Sequence, residues 1–145
     1  MYREENLTLR KASEQYLFLK NADQKMTTVI EPVMRSIIKE LHSRGQEAVI
    51  SKECQSISES GTLQYRHITL ILSADNKKPA YNFSPYPAIG FVADSLNETI
   101  LVREKKVTTT GKKENITGEY RIDEITAYLV EKYIKNFLPK VLKKV

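Results

Sequence analysis

Nucleophilic catalysis needs a thiol or hydroxyl beside a base that a third group orients. The chain offers one cysteine, Cys54, and two histidines, His42 and His67. It has no G-x-S-x-G elbow and no C-x-x-C pair. His42 falls near the end of a helical stretch and His67 within an apolar-alternating one, positions that suit structural roles. A zinc site needs three or four Cys, His or carboxylate ligands at suitable spacing, and one cysteine with two scattered histidines does not supply it. The five glycines are isolated, and "TTTGKKEN" lacks the helix-opening G-K-S/T of a phosphate loop. No cofactor and no metal are therefore expected. One stretch carries acids and a base at suggestive spacing: "VADSLNETILVREKK" sets Asp94 at the end of one candidate strand and Glu104-Lys105-Lys106 in the next.

The Asp94, Glu104 and Lys106 spacing is similar to the Asp…Glu-x-Lys arrangement of the restriction-endonuclease-like nucleases. The resemblance spans about 13 residues, a length at which short patterns recur often. It implies that Asp94 and Glu104 hold Mg²⁺ while Lys106 activates water or steadies the leaving charge. A glutamate from the preceding helix, such as Glu40, sometimes joins in that family. The sequence departs from the pattern at Lys105, which is charged where a buried central strand carries an apolar residue. A hairpin, not a helix, follows. The competing reading is a solvated edge strand whose alternating charges prevent aggregation.

Binding chemistry has two candidate carriers. Lys77-Lys78, Lys105-Lys106, Lys112-Lys113 and Lys143-Lys144 form four doublets, read as mostly lying in turns. On one face they would track a phosphate backbone; otherwise they are solvated. "NKKPAYNFSPYPAIGF" carries Pro79, Pro85 and Pro87, which restrict the free chain and favour extended backbone. Such a segment holds Tyr81, Phe83 and Tyr86 at little ordering cost, as contact surfaces require. Lys77 and Lys78 would stand at its rim, and stacking on unpaired bases is a further use. In the plainer reading the same rings plug the end of the sheet.

These residues need elements to position them. Leu9, Ala12, Tyr16 and Leu19, then Met26, Val29 or Ile30, Val33, Ile37 and Leu41, recur at helical spacing over the first 44 residues. Pro32 inside that run predicts a kink, or a helix start close before it. Asp23 is a candidate cap for the second part, and Gly45 a stop signal. From Gln46 to Arg121 the period is two. "QEAVISKE", "LQYRHITLIL", "AIGFVAD", "TILVREKKV" and "ITGEYRI" read as strands, with "TGKKEN" as a turn. "DEITAYLVEKYIKNFLPKVLKK" reads as an amphipathic helix capped by Asp123. Its stripe is Ile125, Leu129, Tyr133, Phe137 and Val141, broadened by Tyr128, Ile134 and Leu138. The expectation is one α+β domain over residues 1–145. An N-terminal helical segment, kinked or double, precedes an antiparallel meander of about five strands, and a C-terminal helix packs on one sheet face.

The net charge is +5, but five lysines from Lys132 onward follow the last acid, Glu131. Without them, 18 basic residues balance 18 acidic ones, so the excess belongs to the C-terminus and not to the whole surface. No apolar stretch of about 18 residues spans a bilayer. "MYREENLTLRK" has no secretory-type apolar core, and a lone cysteine suits a reducing compartment. The sequence thus points to a cytoplasmic, non-catalytic interaction module that binds a protein partner or itself. Its alternatives are a nucleic-acid-binding accessory protein using lysine doublets and loop aromatics, and a Mg²⁺-dependent nuclease.

Overall fold

The computed structural model describes residues 2–56, 63–73, 86–108 and 111–142, with side chains over 14–52, 66–72, 86–107 and 113–142. A long helix, α1 (Tyr2–Lys25), runs through a π turn (Met26–Ile30) into α2 (Glu31–Ser43). Five strands follow: β1 (Glu47–Ser56), β2 (Leu63–Ser73), β3 (Ala88–Asp94), β4 (Thr99–Thr108) and β5 (Gly111–Tyr120). A 3₁₀ turn (Ile122–Glu124) leads to α3 (Ala127–Val141). The sheet is an antiparallel meander in the order β1-β2-β3-β4-β5, as the period-two reading predicts.

The π turn has a cause in the sequence. Buried Ala22, Met26, Ile30 and Met34 recur at intervals of four. In a straight α-helix each such step drifts about 40°, so the stripe would leave the core within three steps. A turn with one extra residue takes up the drift. Pro32 supplies no N–H to the Thr28 carbonyl, and the Glu31 amide donates five residues back to Met26. The Thr27 and Thr28 hydroxyls donate to the Asp23 and Gln24 carbonyls at 3.0 and 2.7 Å. The predicted break near Pro32 is thus a widened turn in a continuous helix, and Asp23 does not cap it, because a continuous helix has no free amides there. Gly45, at φ 83°, ends α2 while the Gln46 amide donates to Leu41.

All helices bury their stripes on one sheet face. That face presents Ile68, Leu70 and Leu72 from β2, Ile89, Phe91 and Ala93 from β3, and Ile100 and Val102 from β4. Phe18, Leu19, Met26, Ile30, Met34, Ile37 and Leu41 meet it from the first helical layer. From α3 come Val130, Ile134, Phe137 and Leu138. Tyr128, placed in the stripe by spacing alone, is 76% exposed, and Val130 takes its place. An ion triad around the buried Glu31 ties α2 to β1: Glu31 accepts from Arg35 at 2.6 Å and from Lys52 at 2.9 Å. Burial opposes ionisation of Glu31, but the hydrogen bonds from Lys52 and Arg35 outweigh it and hold its carboxyl below the ordinary range.

Two boundaries differ from the sequence reading. Thr126, not Asp123, caps α3, its Oγ1 accepting from the Leu129 amide at 3.2 Å. Asp123 belongs to the 3₁₀ turn, where Glu124 accepts from the Arg121 amide at 2.9 Å. β5 begins at Gly111, so Lys112 and Lys113 lie in a strand and not in a turn. No described helix is long and apolar enough to cross a membrane.

Candidate functional site

The β3–β4 hairpin decides how Asp94, Glu104 and Lys106 stand. Asp94 pairs with Thr99 and Ile89 with Glu104. Five residues at about 3.4 Å each separate the two carboxylates by roughly 17 Å along the sheet, so they do not meet. Asp94 closes its own loop instead. Its carboxylate accepts from Asn97 Nδ2 at 2.8 Å and from the Leu96 amide at 3.1 Å. The Asn97 side-chain bond leads the contributions that lower its pKa, ahead of an opposing burial effect. Glu40 lies on α2, ion-paired with Arg44 at 3.5 Å. His42 faces Glu47 at 3.0 Å, while His67 pairs with Glu53, six residues along β1, or roughly 20 Å away. Among the described residues no three His, Cys, Asp or Glu side chains converge on a metal position.

Glu104 and Lys106 remain together on the helix-facing side of β4, and the structure builds a polar cluster around them. Glu104 is 4% exposed, and Lys140 Nζ of α3 stands 3.5 Å from its Oε1. Tyr120 of β5 and Tyr133 of α3 share a hydroxyl–hydroxyl hydrogen bond, with rings edge-to-face at 5.9 Å between centroids. The Tyr133 hydroxyl also donates to the Thr117 carbonyl at 3.4 Å. Gly118 lies directly beneath it, where a Cβ would collide with the Tyr133 hydroxyl and come within 2.8 Å of the Tyr120 ring. A register shift between Val102 and Arg103 brings Gly118 to this place. The sequence signal for this cluster was thin: a glycine in a strand marks close approach, but not by what.

Burial, then the Tyr120 hydrogen bond, then the Tyr120 and Glu104 charges push the Tyr133 hydroxyl up from 10.0 to about 12. A raised pKa means that the native state holds its proton while the unfolded chain releases it. The cluster's contribution to stability is therefore complete below about pH 10 and falls as pH climbs toward about 12. Ultraviolet titration should show one tyrosine ionising about two pH units late, and that late step should vanish in Tyr133→Phe.

No protein-family model, curated protein or solved structure matches this chain.

The remaining candidates divide. Lys77, Lys78, Tyr81 and Phe83 lie outside the described residues. Tyr86 is described, half-buried at the entry to β3. A solvent-open groove of about 900 Å³ runs between α1 with the π turn and the 3₁₀ turn. Its Arg121 is taken up by Asp123 and Glu124 at 3.7 and 3.5 Å. The sheet face away from the helices carries Val92 and Leu101, half-buried and paired across β3 and β4. Val107 and Ile116 on the same face are 44% and 55% exposed. Ile71 and Ala88, paired across β2 and β3 on this face, are only 4% and 5% exposed, and the Thr69 side chain lies over Gly90.

Proposed function

We propose that the protein is a non-catalytic recognition module that binds a partner protein on the sheet face opposite its helices. The observation that carries this reading is the one-sided helical layer. The helices converge on the Ile68–Phe91–Val102 face, while Val92, Leu101, Val107 and Ile116 stand on the other with no described helix over them. Apolar side chains with Arg103, Lys105, Glu114 and Glu119 around them are the composition of a contact patch with a polar rim. Tyr86 enters β3 two residues before Ala88, so the aromatic–proline stretch leads onto this sheet. The separation of Asp94 from Glu104 supports recognition over turnover.

Photo-crosslinking tests the proposal. A benzophenone side chain at position 116 should trap one discrete partner species, or a second copy of the chain. The same probe at Leu96, 84% exposed on the β3–β4 loop, should not. Val107→Glu, made beside the probe at 116, should abolish the adduct while the melting temperature stays within a few degrees, since Val107 faces water. Equal labelling at the two probe positions would refute the reading.

A further inference from the structure

The two central lysine doublets, one read within a strand and the other in a turn, lie side by side across the β4–β5 ladder. Lys105 and Lys106 point to opposite faces of the sheet, and the two faces differ. Away from the helices, Lys105 stands opposite Glu114, so the ladder itself offsets the charge. Toward the helices, Lys106 stands directly opposite Lys113, and neither has an acidic partner among the described residues. Like charges directly opposite on a strand pair destabilise it. Lys140 adds a third ammonium from α3 at the neighbouring position, Glu104. Asn115, opposite Glu104 on the same face, adds a neutral amide.

We infer that Lys106, Lys113 and Lys140 form a binding site for a phosphate group at the α3–β4–β5 junction. The local charge decides the sign of the ligand. Three ammonium groups meet one carboxylate, Glu104, and the negative end of α3, worth about half a charge. The remainder is positive by about one and a half charges, and a phosphate oxyanion neutralises it while relieving the Lys106–Lys113 repulsion. Glu104 has a positioning role. Buried beneath the lysines, it holds Lys140 over the strand pair and prevents it from turning into solvent. The site does not depend on the opposite sheet face, because Lys106 and Lys113 point away from it. The same chemistry is offered by a soluble phosphate ester and by a nucleic-acid backbone.

Two probes distinguish those sources: inorganic pyrophosphate, followed by the melting temperature at fixed ionic strength, and a fluorescein-labelled oligo(dT), followed by anisotropy. The wild-type chain should bind at least one of them at low salt. Lys106→Ala with Lys113→Ala should weaken that binding at least tenfold. Lys113→Glu alone should do the same while melting no lower than wild type, because it turns a repulsive cross-strand pair into an attractive one. Lys113→Arg should bind as wild type does, since it keeps the charge. If oligo(dT) is the ligand, the double variant should also lower the slope of log affinity against log salt by about 1.4, or about 0.7 for each single-strand phosphate no longer neutralised. Binding of pyrophosphate alone assigns a small phosphate ester. Absence of binding by either probe to the wild type, or equal binding by the double variant, overturns the inference.

Discussion

Phe91→Ala is expected to lower folding stability by about 3–5 kcal/mol, the range for a buried phenylalanine truncated in a core that cannot close over the gap. Phe91 has no exposed surface and occupies the middle of the central strand. It pairs with Ile68 on one side and Val102 on the other, both also fully buried. Neighbours on a ladder are held by their backbone bonds and cannot slide inward to refill the space. Each kcal/mol is worth roughly 2–4 °C in a chain of this size, so the melting temperature should fall by on the order of 10 °C. Urea unfolding with an unchanged m-value would attribute the loss to the native core. Ile116→Ala on the exposed edge is the control, expected within about 0.5 kcal/mol of wild type. A Phe91→Ala loss below about 1 kcal/mol would mean that the helical layer does not press on this sheet.

Gly118→Val should cost about 1–3 kcal/mol through overpacking, and its mechanism can be isolated. Any Cβ at 118 drives the Tyr133 hydroxyl off the strand. That movement breaks the Tyr120–Tyr133 hydrogen bond and removes Tyr133 from the Thr117 carbonyl. In a Tyr133→Phe background the first colliding atom is gone, so Gly118→Ala should cost measurably less there than in the wild type. The coupling of the two changes is the quantity to measure by thermal or chemical unfolding. Additive costs would show that Gly118 answers to its backbone alone and not to the tyrosine above it.

The helices and four of the strands were legible because burial writes itself into periodicity. Ile68, Leu70 and Leu72 alternate, and Ile37 with Leu41 recurs at a helical interval. The start of β5 was hidden for the same reason. Gly111, Lys112, Lys113, Glu114 and Asn115 are strand-poor types, and Lys113, Glu114 and Asn115 are exposed, so the backbone ladder to β4 holds this outer strand with little side-chain burial to leave a pattern. The cap of α3 was misjudged because Asp123 and Thr126 are both good cap types, and only the intervening 3₁₀ turn selects between them. At the candidate sites, spacing showed which residues were near in sequence but not how the hairpin would register. The short loop after Asp94 sets Asp94 against Thr99, and that register sends Glu104 to the far end. The same ladder joined Lys106 to Lys113, a pairing no linear motif contains.

The widened turn at Met26–Ile30 has a consequence for how this polypeptide tolerates changes of length. It holds one residue beyond the ordinary helical repeat, so losing a single residue there would leave an ordinary helix whose two halves still present aligned surfaces. Pro32 would then confront the carbonyl four places back, and that local misfit would be the main penalty. A deletion elsewhere between Glu14 and Ser43 would roll everything upstream by about 100°, carrying Phe18 and Leu19 off the sheet and into water. Single-residue gaps in this helix should therefore be tolerated at one place, the π turn just before Glu31.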